Sequence, residues 1–270
     1  MELETYVKEA ILGNKKALEE LIKAIQDDIY YLSLRMLANP EDAKDASQEI
    51  VIRVITKLSM FKFQSQFKTW VYRLAVNYLI SYKKKTEQTH QLTFEIFKED
   101  LESDLRDDFR LDDDVEHQTM LDELRISCTM AMLLCLSPSL RMAFILGEIF
   151  ELEHQEASEI LDISKEAYRK QLSRARSKLT DFMQESCGLV SDAAKCSCER
   201  KLYGAFQRGR LIRDKLYFAQ NGDKSYAKMQ QTLKETQEEL KVVKAQCGMM
   251  HYESPTKLEE VLLGFMDEYK

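Results

Sequence analysis

Almost nothing in this chain interrupts a helix. Across 270 residues there are three prolines (Pro40, Pro138, Pro255) and eight glycines, while long stretches are rich in Leu, Lys, Glu, Ala and Met. Those side chains lose little freedom in a helix and the strong breakers are confined to a handful of positions, so the sequence predicts an all-α protein. No segment shows a convincing strand alternation. With 44% apolar residues the chain can bury true cores, and its length is a prior for about two domains.

No apolar run approaches the length of a membrane span, and the opening MELETYVKEA is acidic where a signal peptide is basic and then apolar. A cytoplasmic protein with no direct membrane insertion is expected. Six cysteines are too sparse for a disulfide-stapled secreted domain. Cys128 and Cys135 fall inside an apolar run and read as small hydrophobes, and reduced thiols are expected throughout.

Charge is segregated along the chain. The first 49 residues hold eleven acids and six bases, but between Glu49 and Glu87 there is no carboxylate, while Arg53, Lys57, Lys62, Lys68, Arg73, Lys83, Lys84 and Lys85 supply eight positive charges. Residues 94–117 reverse the sign, with eleven acids against three bases. That composition reads as a poorly structured acidic linker. Helical patterning resumes near Thr119 and runs to about Ser186, interrupted by LSPSL at 136–140.

The basic block contains FKTWVYRLAVNYLISYKKK, residues 67–85. As a helix it places Val71, Leu74, Ala75, Tyr78 and Tyr82 on a buried stripe and leaves Trp70, Arg73, Asn77 and the three lysines outside. A planar ring, an amide and cations together suit single-stranded nucleic acid, where bases stack and phosphates need neutralising. The plainer alternative is a core tryptophan and a solvated lysine end. A block of 37 residues without an acid favours the nucleic-acid reading, because an ordinary solvated face mixes both signs.

A second constellation is LEHQEASEILDISKEAYRKQLSRARSKL, residues 152–179. Glu153 to Leu161 predicts a short helix, and Ser164 an N-cap for a second helix from Lys165. There Tyr168, Leu172, Ala175 and Leu179 form a core stripe. The other faces carry Lys165, Arg169, Lys170, Arg174, Arg176 and Lys178 against the single acid Glu166. This is how a helix-turn-helix presents a recognition helix to the major groove, the alternative being a plain helical hairpin with a charged surface.

These residues together resemble a known family. NPEDAKDASQEIVIRVITKLSMF followed by FKTWVYRLAVNYLISYKKK is similar to region 2 of the extracytoplasmic-function (ECF) sigma factors of bacterial RNA polymerase. The shared elements are Asp42-Ala43, Asp45, Gln48-Glu49, and the Phe67, Trp70, Arg73, Ala75 and Asn77 pattern. LSPSLRMAFILGEIFELEHQEASEILDISKEAYRKQLSRARSKL is similar to region 4. The resemblance implies two small helical domains, region 2 over 1–88 and region 4 over 119–186, joined by an acidic flexible linker over 89–118. It implies that Asp45, Gln48 and Glu49 bind core RNA polymerase. Phe67, Trp70, Arg73 and Asn77 would melt and read the -10 element of promoter DNA as single strand, and Lys165, Arg169, Lys170, Arg174 and Arg176 would meet the -35 duplex. Such a protein has no catalytic site of its own. Tyr168 and Gln171 depart from the family's usual β-branched and basic residues, and Ala157-Ser158 from its usual Ile-Ala.

Residues 187–270 lie outside that core and predict a helical C-terminal extension. Tyr226, Met229, Leu233, Leu240, Val243 and Cys247 recur at heptad spacing, and a last helix is expected from Ser254 and Pro255 with Leu258, Val261, Leu262, Phe265 and Tyr269 on one face. The acidic run Glu235, Glu238, Glu239 points to docking on the basic region 2 surface. Cys187, Cys196 and Cys198 resemble a cysteine-bearing extension of some ECF factors, but C-x8-C-x-C is not the usual zinc knuckle. No cofactor is assigned, and zinc at these cysteines stays open against free thiols. Residues two apart share a metal only on an irregular turn, with Cys247 or His251 as candidates for a fourth ligand. An anti-sigma factor is a further candidate partner. The alternatives are a stand-alone helix-turn-helix regulator, which has no use for Trp70 or the Asp45 surface, and a thiol enzyme at Cys196-Ser197-Cys198, for which no paired base or cofactor loop is present.

Overall fold

The computed structural model describes residues 3–86, 92–213, 215–219, 231–233, 235–236, 238–247 and 252–255. Among these, twelve α-helices account for the regular structure, and the one extended pairing is an isolated bridge between Ile212 and Lys215. The helices are α1 (Leu3–Ile11), α2 (Lys15–Lys23), α3 (Gln26–Leu37), α4 (Pro40–Thr56), α5 (Phe67–Thr86), α6 (Phe94–Glu102), α7 (Asp114–Leu134), α8 (Pro138–Phe144), α9 (His154–Leu161), α10 (Lys165–Ser186), α11 (Cys198–Gln207) and α12 (Glu238–Cys247). The all-α expectation is met. Side-chain caps set many of the starts: Asn39 accepts from the amides of Glu41 and Asp42 beside Pro40, Thr93 caps α6, Asp113 caps α7 and Ser197 caps α11.

The chain divides into two compact units. The first comprises Met1–Gln88, Leu152–Arg169 and His251–Lys270, and the second Thr89–Glu151 and Lys170–Met250. In the first, α3 and α4 pack as an antiparallel pair, and Ala38 in the left-handed region (φ 54°) reverses the chain between them. Ile29, Leu32, Ile50, Val51, Val54, Val71, Ala75 and Leu79 are buried in that bundle. Fully burying an aliphatic side chain of this kind contributes about 1.5–3 kcal/mol, so this interior fixes which faces of α4 and α5 stay outside.

The second unit closes around α7. Leu111, Met120, Leu121 and Leu124 share a core with Leu202, Ala205 and Leu211, so residues on and after α11 complete it. Two buried charged side chains find several partners each. Arg141, fully buried, donates from Nε to the carbonyl of Leu133 and from Nη2 to those of Leu134 and Leu136, at 2.8 and 2.9 Å, capping the otherwise unpaired end of α7. Glu123 accepts the amides of Tyr217, Phe218 and Ala219 at 2.8–2.9 Å.

Three expectations change. The acidic stretch is an ordered segment: α6 buries Phe97 and Leu101, Leu111 enters the α7 core, and Phe97 stacks on Phe182 at 5.9 Å. The C-terminal extension docks through its bases on that acidic segment. Lys195 pairs with Glu102, Arg200 with Asp107, Arg208 with Asp100 and Asp104, and the buried ammonium of Lys201 donates to the carbonyls of Asp100 and Ser103. Tyr252 and Ser254 group with the first unit, the Tyr252 ring near Tyr31 and the Ser254 amide donating to Asp27 at 2.9 Å. Finally, the expected second domain over 119–186 is divided, with α9 and the first turn of α10 grouping with the first unit. Tyr226, Met229, His251 and the predicted last helix with Leu258, Val261, Leu262, Phe265 and Tyr269 lie outside the described residues, as do the side chains of Lys83, Lys84, Lys85, Glu238, Glu239, Leu240 and Cys247.

Candidate nucleic-acid interface

Helix α4 turns Ala43, Ala46, Ile50, Val51 and Val54 inward, which leaves Asp45 and Glu49 exposed and Gln48 half-buried on the opposite side. The three lie at the three- and four-residue spacing that makes one face. That acidic ridge runs beside the C-terminal half of α5. Burial raises the Tyr78 and Tyr82 phenols, and the negative charge of Glu49 on Tyr78, and of Asp42 and Asp45 on Tyr82, raises them further. The Arg53 guanidinium lies 4.9 Å from the centre of the Tyr78 ring.

Helix α5 begins where the Phe67 amide donates to the carboxylate of Glu4 at 3.0 Å, satisfying one orphan donor of its first turn. Its buried stripe is Phe67, Val71, Tyr72, Ala75, Val76 and Leu79, rotated from the expected one, and Leu74, Tyr78 and Tyr82 are half-buried. Phe67 is 0% exposed and therefore a core residue, a correction to its expected contact with DNA. It serves instead as backing for Trp70: the half-buried indole stacks on Phe67 with centroids 5.9 Å apart and tilts against Phe61 at 5.4 Å.

Asn77 is exposed, and Arg73 is half-exposed with Nε donating to the Glu159 carbonyl at 3.1 Å. Beside it the Thr69 hydroxyl donates to Glu156 at 2.9 Å, so α9 covers this edge of α5. Lys68 and Tyr72 share the Asp28 carboxylate, each at 2.9 Å.

One aromatic escaped the sequence reading. Phe63 is 42% exposed in the loop before α5, 4.8 Å from Phe61, with its backbone in the left-handed region (φ 56°). The Lys8 ammonium sits 5.6 Å from its ring. The signal was the run FKFQSQF, three phenylalanines with only polar residues between them, ahead of the helix.

The second constellation folds as its spacing predicts. Asp162 in the left-handed region (φ 54°) ends α9, and the Ser164 hydroxyl accepts the Ala167 amide at 3.1 Å to start α10. Tyr168, Leu172, Ala175 and Leu179 are all buried, and the His154 ring meets Tyr168 edge-on at 5.6 Å. Lys165, Arg169, Lys170, Arg174 and Arg176 are exposed. Arg176, however, is tied by its Nε to Glu148 at 2.6 Å, a carboxylate buried in the π turn Ile145–Ile149, and so braces α10.

An acidic α4 ridge, an aromatic and cationic α5 edge, and a helix-turn-helix with a one-sided basic second helix therefore occur in the order of two known modules. Residues 21–89 match the family model for Sigma-70 region 2, and residues 126–179 that for Sigma-70 region 4. The chain belongs to the ECF sigma factors. This sigma factor is 28% identical over 189 residues to the ECF RNA polymerase sigma factor SigW of Bacillus subtilis, a match covering 68% of this chain and 98% of that one. It is 27% identical over 176 residues to the ECF RNA polymerase sigma-E factor of Haemophilus influenzae, covering 64% and 90%. Among solved structures, the sigma factor RpoE of Bartonella quintana, crystallised with the anti-sigma factor NepR, superposes with a TM-score of 0.44 at 17% identity over 63% of this chain and 98% of that one. The protein is a transcription initiation factor. No helix among the described residues is long and apolar enough to cross a membrane.

Proposed function

We propose that this sigma factor binds core RNA polymerase through Asp45, Gln48 and Glu49 and promoter DNA through two surfaces. Trp70, Phe63, Arg73 and Asn77 meet the unpaired -10 strand, and Lys165, Arg169, Lys170 and Arg174 meet the -35 duplex. The observation that carries the reading is the division of α10, with Tyr168, Leu172, Ala175 and Leu179 buried and four bases exposed behind a helix-turn-helix. A groove-reading helix needs that arrangement, because the stripe anchors it while the outer face stays free for phosphates and base edges.

On α5, the Phe61 and Phe67 rings hold the indole of Trp70 in place before DNA arrives. A preformed stacking platform loses little freedom on binding, and stacking at about 1–3 kcal/mol per base offsets the few kcal/mol needed to extrude one. Melting is then driven by binding energy, without hydrolysis and without a catalytic residue in this chain. Arg73 reaches a phosphate only after leaving the Glu159 carbonyl, so the α5 edge opens from α9 when the -10 strand is captured. The site of action is the cytoplasm, where polymerase is.

The test is reconstitution with core polymerase on a labelled promoter library. New start sites are expected on addition of the chain. DNA binding with no new start sites would instead support a regulator that acts without polymerase.

A further inference from the structure

Four of the six cysteines line one cavity of the second unit. Cys128 comes from α7, Cys187 follows the end of α10, Cys196 stands in the connecting loop and Cys198 opens α11. All four are free thiols lining one cavity of about 20 Å³, with Arg125 and Lys201 also in its walls. That volume admits about one water-sized body. Cys128 is the partner that spacing did not reveal, since in sequence it reads as a small hydrophobe.

The backbone is shaped to bring the segments that carry Cys187, Cys196 and Cys198 together. The Gly188 amide donates to the Cys196 carbonyl at 2.8 Å, and a Cβ at Gly188 would stand 2.5 Å from that oxygen, so only glycine lets the two segments approach. The amides of Val190 and Ser191 both donate to the Cys187 carbonyl at 3.0 Å and turn the chain just after α10. Ser197, extended (φ -121°, ψ 160°), caps α11. This is an irregular turn of the kind that Cys196 and Cys198 need to share an ion, and it puts Cys198 at a helix N-terminus.

We propose that Cys128, Cys187, Cys196 and Cys198 form a four-thiolate site for one zinc-class divalent cation that holds α7, α10 and α11 together. Four protein sulfurs leave no open position, which marks a structural rather than a catalytic centre, and soft thiolates select zinc-class ions over magnesium or calcium. The site carries net negative charge, which the Arg125 and Lys201 side chains and the α11 N-terminus offset.

In the metal-free chain burial pushes the thiols up, Cys128 to about 11 and Cys187 and Cys196 to about 12, with Cys198 also well above its ordinary value. Among the described residues no three Cys, His, Asp or Glu side chains already stand close enough to hold an ion, so the four side chains that line the cavity have to close on it. Because the site is completed only when the ion is bound, binding stabilises the fold.

The test uses the full chain purified reduced. A single bound zinc by elemental analysis is expected, and cobalt(II) titration should give the sulfur-to-metal charge-transfer and intense visible bands of a tetrahedral four-thiolate centre. Chelation should lower the melting temperature. Cys128→Ser and Cys198→Ser should each weaken binding by more than the ~10-fold typical of losing a supporting contact. Cys135→Ser should not, because that thiol donates to the Ala131 carbonyl and lies outside the cavity. If a variant fails to fold, the charge-transfer intensity of the parent chain still counts the thiolates. A reduced chain that takes up neither ion, a spectrum of fewer than four sulfurs, or a Cys187–Cys196 disulfide in the reduced preparation would overturn the proposal.

Discussion

Residues 50–86 and 94–116 are opposites in charge, and the fold treats them in opposite ways. The first carries eight bases and no acid, the second eleven acids and three bases. The acidic segment is answered from about a hundred residues away by Lys195, Arg200, Lys201, Arg208 and Arg210. The basic block has no such counterpart among the described contacts: Lys68 pairs with Asp28, while Lys57 and Lys62 point to solvent. An unbalanced run therefore becomes an interaction surface only where the chain holds no complementary run. Each exposed pair is worth at most about 1 kcal/mol. The acidic segment is instead fixed by the apolar core beneath it and by the buried Lys201.

The largest break in this comparison is to end the chain after Ser186. The apolar face of α7 loses Leu202, Ala205 and Leu211, and the acidic segment loses its bases. We expect the melting temperature of the second unit to fall by more than about 10 °C. Hydrogen exchange should rise in α6 and α7 and stay unchanged across 50–86, whereas docking on the basic block would give the reverse pattern.

Next in size is Glu123→Ala. It leaves the amides of Tyr217, Phe218 and Ala219 unpaired around a carboxylate site only 3% exposed. The expected loss is about 3 kcal/mol in denaturant unfolding, with no change in DNA affinity of the folded fraction.

Smaller effects on binding separate the exposed bases of α10. Arg169→Ala or Arg174→Ala should weaken duplex binding without destabilising the unit. A phosphate contact lowers the salt slope by about one on every sequence, and a base contact costs about 1–3 kcal/mol on the cognate site alone. Arg176→Ala, which releases Glu148, should act mainly on stability. Anisotropy titrations at several salt concentrations, paired with thermal melts, distinguish the three.

What was legible in the sequence follows from range. The Tyr168 to Leu179 stripe and the Ser164 cap depend on neighbours within a few turns, so periodicity finds them, while Asp45, Gln48 and Glu49 were legible through the family resemblance. Phe67 was misplaced because the family resemblance gave its whole motif one role at the DNA, whereas its position four residues before Val71 puts it on the buried side of α5, against Phe61. The order of the acidic segment, the bracing role of Arg176 and the convergence of Cys128 on Cys187, Cys196 and Cys198 rest on partners distant in sequence. Composition averages over such pairs and reads each member alone.

The claim at the centre of the account is that the basic block exists to hold unpaired promoter DNA, with Trp70 as its stacking platform. Abortive initiation by core polymerase with the Trp70→Ala chain, on a duplex promoter and on the same promoter pre-melted over the -10 element, tests it directly. We predict a loss of at least about tenfold on duplex, as expected when roughly 1–3 kcal/mol of stacking is removed, and recovery of most activity on the pre-melted template. Equal activity of the two chains on duplex, or an equal failure on both templates by a chain that is folded and bound to polymerase, would contradict it.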